Sequence, residues 1–529
     1  MAPGASGITM DRKKWLGLPF IALGVALIIV DATIVNVAIP SIIDDLKITS
    51  TQAQWIQETY TLVFASLLLA FGRIADRVGR RAMFAVGVLV FAIASVIAAN
   101  VSSGDALIAA RLVQGVGGAM MLPTSLSILN STFFGKDRGI AFAVWGSTIG
   151  AAAAFGPLLG GWLTTDYSWR WAFGINVPAG ILILAGLFLF VHESRGSEDS
   201  GHADGVGALL SAVGIGSIVF GLIEGRNYGL LAATESFSVF GLTWNLGISI
   251  VPVMFVIGAA TLFVFVRIEL QRNRAGKPVL LDMKLLGITS FRNANIAAAI
   301  VSLGEFGLLF ALPLWLQNVL GYSAFDTGKI LLALALGSFL ASGASAGMAS
   351  RGPVFIVRTG IALEIIGIAA AGLVITRDTP WWLICIPLFV YGAGVGLATA
   401  QLTGVALADV PVQNSGQGSG ITSTTRQLGS ALGIAILGTV LFSSLGSDLD
   451  KRLESMPQIP AAARAEISNT VVKSAGAVIP ALVADPQYKP AGVAAGEALT
   501  YGTKLSAFIG AFFLVLGWFA SLRLGKSNE

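Results

Sequence analysis

Cysteine and histidine are almost missing from this sequence: Cys385 is the single cysteine, and His192 and His202 are the only histidines, in 529 residues. One cysteine excludes an internal disulfide framework and a Cys-rich metal site. Because it lies inside an apolar run, Cys385 reads as a small buried apolar side chain. With so few histidines, both beside one polar linker, no metal or nucleophile constellation is visible and an integral membrane enzyme is disfavoured. The phosphate-binding loop is absent too: its nearest approach ends in Gly525, Lys526 and Ser527 but has Ala520 where the first glycine is needed. ATP is therefore not the direct energy source. Charge is scarce as well, at 12% of residues, against about 25% in an ordinary soluble domain.

What fills the chain instead is apolar: 55% of residues are hydrophobic and the mean hydropathy is +0.80. Runs of about 20 apolar residues, enough to cross a ~30 Å hydrocarbon core, begin near Trp15, Thr51, Ala82, Asp105, Gly139 and Arg170. A polar stretch from Glu193 to Asp204 follows, then two runs over 205–224 and 246–266 and a basic linker from Arg267 to Lys284. Six further runs begin near Asn293, Asp326, Val354, Trp381, Gly416 and Thr503. The pattern predicts an all-α membrane protein of about fourteen spanning helices in a six, two, six order. Its parts are an N-terminal six-helix bundle over 1–195, a linker with two additional helices over 196–284, and a C-terminal six-helix bundle over 285–529 with a long external loop at about 444–500. The first run, reaching about Pro40, exceeds the ~7 to 15 residue core of a signal peptide and reads as a spanning helix.

The net charge of +4 comes in short clusters between the runs, so topology explains it better than nucleic acid does. Arg73, Arg77, Arg80 and Arg81 follow run two, Lys136 and Arg138 follow run four, and Arg267, Arg272, Arg274, Lys277 and Lys284 follow run eight. Those loops and both termini are expected on the cytoplasmic side.

An ionisable residue at the centre of a spanning helix costs about 2.5 to 3.5 kcal/mol on insertion scales, so each one needs a reason. Asp31 and Glu58 are both expected roughly 10 to 14 Å in from the outer surface, and Arg111 roughly 9 Å, close enough to share one cavity. Glu305, in VSLGEFGLL, falls near mid-membrane and is a candidate for exchanging a proton or meeting substrate. Glu364, in IALEIIG, has either Arg358 or another helix as partner, and Arg426, in TTRQLGS, is placed to neutralise an acid across the bundle. Other readings stand beside these: snorkelling for Arg111, a permanent ion pair for Asp31, an interfacial acid of little consequence for Glu58.

Several motifs agree in order and topology. GRIADRVGRR, from Gly72 to Arg81, has Gly72 for close helix approach, Asp76 to cap and to pair with guanidinium groups, Gly79 for the turn, and Arg77, Arg80 and Arg81 as anchors at an anionic face. A fainter copy, ASRGP, stands at 349–353 and suggests a duplicated bundle. LIAARLVQGVGGA, from Leu107 to Ala119, carries Arg111 and Gln114, and AAAAFGPLLGGW, from Ala151 to Trp162, carries Gly156, Pro157, Gly160 and Gly161. With DATIVNVAIP from Asp31, SWRWAFGINVPAG from Ser168 and GSGITSTTRQLGSALGIAILG from Gly418, these motifs resemble the signatures of the major facilitator superfamily. The six, two, six count points to its fourteen-helix drug:proton antiporter branch.

That resemblance implies two six-helix bundles with two inserted helices, working by alternating access. It makes the 72–81 loop a conformational latch and gives Arg111 a part in proton coupling. It makes the 156–161 motif a kinked, closely packed seal of the inner path when the cavity faces outward, with Ala152 where a glycine is common. Asp31 stands where the family has an acid important for transport; Glu58 stands where several exporters of cations have an acid, more often Asp. The implied function is proton-coupled efflux of amphipathic, cationic drugs or toxic compounds, with antibiotic resistance as the consequence. Asp31, Glu58, Arg111 and Glu305 would couple protons; Asp31, Glu58 and Glu305 with Trp55, Tyr60 and Phe306 would meet substrate; Arg426 and Glu364 would be supporting charges. The expected partners are a small amphipathic substrate, protons and membrane lipid, with no cofactor, metal or nucleic acid, for a monomer in a bacterial cell membrane. Export of lipid-like or endogenous amphiphiles is the alternative, and a membrane sensor that moves nothing is a third reading.

Overall fold

A computed structural model describes residues 5–48, 50–196, 204–234, 236–239, 242–244, 246–345, 348 and 351–524. The first half comprises α1 (Ala5–Leu46), α2 (Ser50–Val78), α3 (Arg80–Asn100), α4 (Gly104–Thr132), α5 (Gly135–Asp166) and a sixth crossing broken into α6 (Arg170–Gly174) and α7 (Asn176–Phe190). Next come α8 (Gly205–Tyr228) and α9 (Ile250–Arg274), joined by an antiparallel hairpin of β1 (Phe237–Val239) and β2 (Leu242–Trp244). After the short α10 (Lys284–Gly287), the second half comprises α11 (Thr289–Asn318), α12 (Ala324–Ser345), α13 (Pro353–Val374), α14 (Trp381–Ala406), α15 (Ser415–Glu454), α16 (Ala461–Lys473), α17 (Ile479–Ala484) and α18 (Lys489–Ser521).

Among the described residues, thirteen helical segments are long and apolar enough to cross a membrane. The one expected run outside that set is α2, whose outer part carries Gln52, Gln54, Gln57 and Glu58. It nevertheless packs within the bundle on α4, α8 and α15, and Gln57 and Glu58 are partly buried there while Gln54 is exposed.

Two boundaries differ from the sequence reading. The basic linker expected from Arg267 is still helical, as α9, to Arg274. More substantially, α15 runs on to Glu454 and α18 starts at Lys489, far before Thr503, so the expected long loop is largely helix. The reason is burial: Leu445, Leu449 and Leu453 of α15 and Ile467 and Val471 of α16 close over Ala491, Ala495 and Leu499 of α18, forming a separate apolar core beyond the bundle. Mixed charge hid this amphipathic pattern, because Arg452 pairs with both Asp448 and Glu497 on its outer face.

The two halves meet along α2 and α15 on one flank and along α5 and α12 on the other. The additional helices α8 and α9 pair with each other, and α8 leans on α2 and α15. Gly79 and Gly352 stand just before the third helix of each half, α3 and α13, both with φ that disfavours other residues, +121° and +81°. The duplicated turn is thus visible at Gly352, although Ala349 and Ser350 of its motif lie outside the described residues.

Candidate functional site

The first half buries a closed polar network. Asp31 of α1 and Arg111 of α4, both essentially without solvent contact, form an ion pair. Arg111 also donates to Gln114 Oε1 at 2.9 Å and, through Nε, to the Ile56 carbonyl at 3.1 Å, while the Tyr60 ring covers its guanidinium at 4.2 Å. Asp31 Oδ1 accepts from Gln114 Nε2 at 3.1 Å and from Asn176 Nδ2 at 2.7 Å, and Ser95 accepts from both amides. Every charge here has its donor or acceptor, the condition under which a buried pair is tolerated. Arg111 therefore turns inward and does not snorkel.

In the second half, Glu305 of α11 and Glu364 of α13 lie toward Arg426 of α15. Glu305 Oε1 accepts from Thr399 at 3.0 Å, and its Oε2 lies 3.9 Å from Arg426 Nη2. Arg426 donates in addition to the Thr399 carbonyl at 3.3 Å. The sequence offered Arg358 as a partner for Glu364; instead Arg358 donates to the carbonyls of Ser521, Leu522 and Leu524, closing the end of α18. Phe306, one residue on from Glu305, has its side chain outside the described residues.

At the end bearing the basic loops, the 72–81 motif clasps the second half. Both oxygens of Asp76 sit at the start of α15, accepting from Gly416 N at 2.8 Å and Gln417 N at 3.0 Å, amides that a helix N-terminus leaves without internal partners. Arg80, fully buried, donates to Asp76 Oδ1 through Nε and Nη2 and to the Val412 carbonyl at 2.6 Å. Nearby, Asn130 donates to Ser415 at 2.8 Å and Arg138 to the Gly404 carbonyl at 2.9 Å. Gly72 is required by contact, since a Cβ there would stand 2.8 Å from Gly420 Cα. Arg77, by contrast, is exposed and takes no part in the clasp. Glu193, not singled out in the sequence, completes it from behind by accepting from Arg81 N and Ala82 N, both at 3.0 Å, and so capping α3.

Gly156, Gly160 and Gly161 lie at the opposite end of α5 from these contacts. A Cβ at Gly156 would overlap Thr33 of α1, one at Gly160 would stand 2.9 Å from Ile34, and one at Gly161 3.3 Å from Phe325 of α12. The motif, with Pro157 inside the helix, thus packs α5 between α1 and α12 remote from the basic loops. The expectation that it seals the basic side is corrected: α5 starts at that side and the motif lies past its midpoint.

Glu58 does not share a space with Asp31 and Arg111. It lines a cavity of about 330 Å³ between the halves, with Gln54, Gln57 and Thr61 of α2, Ile223 and Asn227 of α8, Phe310 of α11, and Gln427 and Phe442 of α15. Its carboxyl meets that of Glu224 on α8, itself buried and accepting from Asn227 Nδ2 at 3.0 Å. Two carboxyls in contact are held by a shared proton or by a cation. Glu224 was missed because it ends an apolar run and resembled an interfacial charge. Of the aromatics proposed from sequence, Trp55 stacks on Phe220 of α8 and Tyr60 packs on Phe64, Phe91 and Arg111, so neither lines this cavity. No cluster of His, Cys, Asp and Glu suited to a metal occurs among the described residues.

The sequence profile of the Major Facilitator Superfamily matches residues 21–434. The chain is similar to puromycin resistance protein pur8 of Streptomyces alboniger, 33% identical over 440 residues that cover 81% of this chain and 82% of the relative. It is similar to multidrug efflux pump LfrA of Mycolicibacterium smegmatis, 30% identical and covering 88% of each chain. Its fold matches the crystal structure of the human organic anion transporter MFSD10, with a TM-score of 0.61 at 12% identity over 96% of this chain and 99% of the other. Two helical bundles clasped through Asp76 and Arg80, sequence relatives that span most of the chain, and a matching fold lead to one assignment: the chain belongs to the Major Facilitator Superfamily.

Proposed function

We propose that this protein is a fourteen-crossing efflux transporter that expels amphipathic, cationic compounds from the cytoplasm in exchange for protons. The observation that carries the reading is the cavity between the bundles, where Glu58, backed by the buried Glu224, stands among Gln54, Gln57 and Gln427 and apolar groups including Ile223, Phe310 and Phe442. A cation with an apolar body matches that lining; its charge replaces the proton that otherwise holds the two carboxyls together. The relatives named for puromycin resistance and multidrug efflux support a drug-like substrate. Since the basic loops belong on the cytoplasmic side, the clasp at Asp76 and Arg80 closes the inner end.

Driving force is sufficient. One charge moving through 100 mV releases about 2.3 kcal/mol, and a hundredfold gradient costs about 2.8 kcal/mol at 1.4 kcal/mol per decade. For a monovalent cation the first proton only offsets the electrical cost of moving the substrate's own charge, so a second proton and the pH gradient, about 1.4 kcal/mol per unit per proton, supply the rest.

Proteoliposomes with an imposed pH gradient test the proposal, using a monovalent cationic dye and a neutral dye of similar size. Gradient-driven movement of the cation is expected, and Glu58→Gln should slow it about tenfold more than the neutral dye, the loss of one charged contact worth roughly 1.4 kcal/mol. Equal slowing of both dyes by the substitution, or slowing of neither, would remove the cation preference and favour lipid-like amphiphiles. Movement indifferent to the gradient would remove proton coupling.

A further inference from the structure

The buried charges of the two halves do not balance in the same way. In the first half one carboxylate, Asp31, meets one guanidinium, Arg111, and amides from Gln114 and Asn176 complete its shell. That unit is neutral when both partners are ionised. In the second half two carboxyl groups, Glu305 and Glu364, face one guanidinium, Arg426. The remaining titratable group beside them is the buried Tyr391 of α14, whose hydroxyl donates to the Glu305 carbonyl and leaves the carboxyls unaided. With both acids ionised this unit would carry one net negative charge in the middle of the bundle.

Hydrogen bonding divides the two acids further. Glu305 receives Thr399 on one oxygen and the attraction of Arg426 on the other, a setting that suits a carboxylate. Glu364 has no solvent contact, and neither of its oxygens has a hydrogen-bond partner among the described residues. It is walled in by backbone: a Cβ on Gly394 of α14 would stand 2.7 Å from Glu364 Cγ. A carboxylate there would have lost water and gained nothing in exchange, whereas a neutral carboxylic acid forfeits much less.

We propose that Glu305, Glu364 and Arg426 form a proton-carrying site of the transporter in the second half, with the carried proton on Glu364. The proposal rests on the proton-coupled reading above and assigns the coupling to residues other than the carboxyls at the Glu58 cavity. On release, the O–H bond of Glu364 breaks and the proton passes to water admitted when the halves part at the inner end. Arg426, then facing two carboxylates, holds the extra charge until a proton from the other side re-forms the O–H bond. Because α15 carries both Arg426 and the amides that bind Asp76, a shift of Arg426 between the two acids bears directly on the clasp.

Two measurements test this. Wild-type protein in nanodiscs is treated with dicyclohexylcarbodiimide, which adds to protonated carboxyls in apolar surroundings, and the adducts are mapped by mass spectrometry. A Glu364 adduct that diminishes at alkaline pH is expected; a Glu364 that stays unlabelled at every pH overturns the assignment. In proteoliposomes, Glu364→Gln should lower the ratio of gradient-driven accumulation to gradient-independent counterflow by roughly fifty-fold per ~100 mV, the value of one lost proton. An unchanged ratio in the variant, beside a coupled wild type, sinks the site and leaves proton coupling standing. A wild type with a labelled Glu364 but no gradient-driven transport sinks the coupled reading itself, and with it any carrying role for the cluster.

Discussion

Arg111 shows how much of the site depends on single side chains meeting. Its charge is met by Asp31, Gln114, the Ile56 carbonyl and the Tyr60 ring, drawn from three helices. Removing the acid strands a buried guanidinium, so Asp31→Asn is expected to cost about 3 to 5 kcal/mol of stability. The thermal unfolding midpoint in detergent measures it, and Asp31→Leu combined with Arg111→Met should recover most of the loss. Had the two residues served only as mobile coupling charges, Asp31→Asn would leave the midpoint in place. The sequence marked both as buried charges, but not that they pair to the exclusion of Glu58. Helix geometry held part of that answer: residues 58 and 60 are two apart, about 200° around a helix, so Glu58 and Tyr60 face opposite sides of α2. Which side meets Arg111 and which the cavity depends on neighbours that α2 alone does not reveal.

At the scale of elements, the α2–α15 crossing joins the two halves at the end bearing the basic loops. Gly72, Gly416 and Gly420 let the two backbones approach, and Asp76 binds the amides that begin α15. Gly72→Ala should hold the helices apart at that end, lowering transport while leaving the fold intact. Spin-label distances between α2 and α15 in a Cys385→Ser background provide the check: the variant's distribution should be longer at the basic end, and an unaltered distribution would show that the crossing tolerates a methyl group. The additional helices also acquire a place here. Through Ile223 and Asn227, α8 supplies part of the wall of the Glu58 cavity, and its Glu224 stands behind Glu58. That was not legible from a run whose composition is otherwise that of any spanning helix. The 72–81 motif was more legible because a turn glycine, a capping acid and paired arginines each have a local physical requirement, whereas Arg77, in the same motif, proves to be exposed.

For the whole molecule, the proposed transport by alternating access requires the clasp to open once per cycle. Asn130 and Ser415 touch across it at 2.8 Å. Cysteines at both positions, again with Cys385→Ser, joined by a short thiol cross-linker, should abolish transport while leaving dye binding from the outer side within about twofold, since the binding cavity lies remote from the link. Transport that survives complete cross-linking would rule out opening between α4 and α15.

The sequence by itself determined the solvent, the number and order of apolar runs, the basic end and the family, because these follow from the cost of burying charge and unpaired backbone in hydrocarbon, which is read one segment at a time. Only the tertiary structure decided which buried charges meet: Asp31 with Arg111, Glu58 with Glu224, and Glu305 and Glu364 with a single Arg426. It also decided that the segment beyond the bundle is a packed helical cap. Such pairings depend on helix rotation and on neighbours distant in the chain, and apolar side chains that serve equally well against lipid or protein leave no record of either.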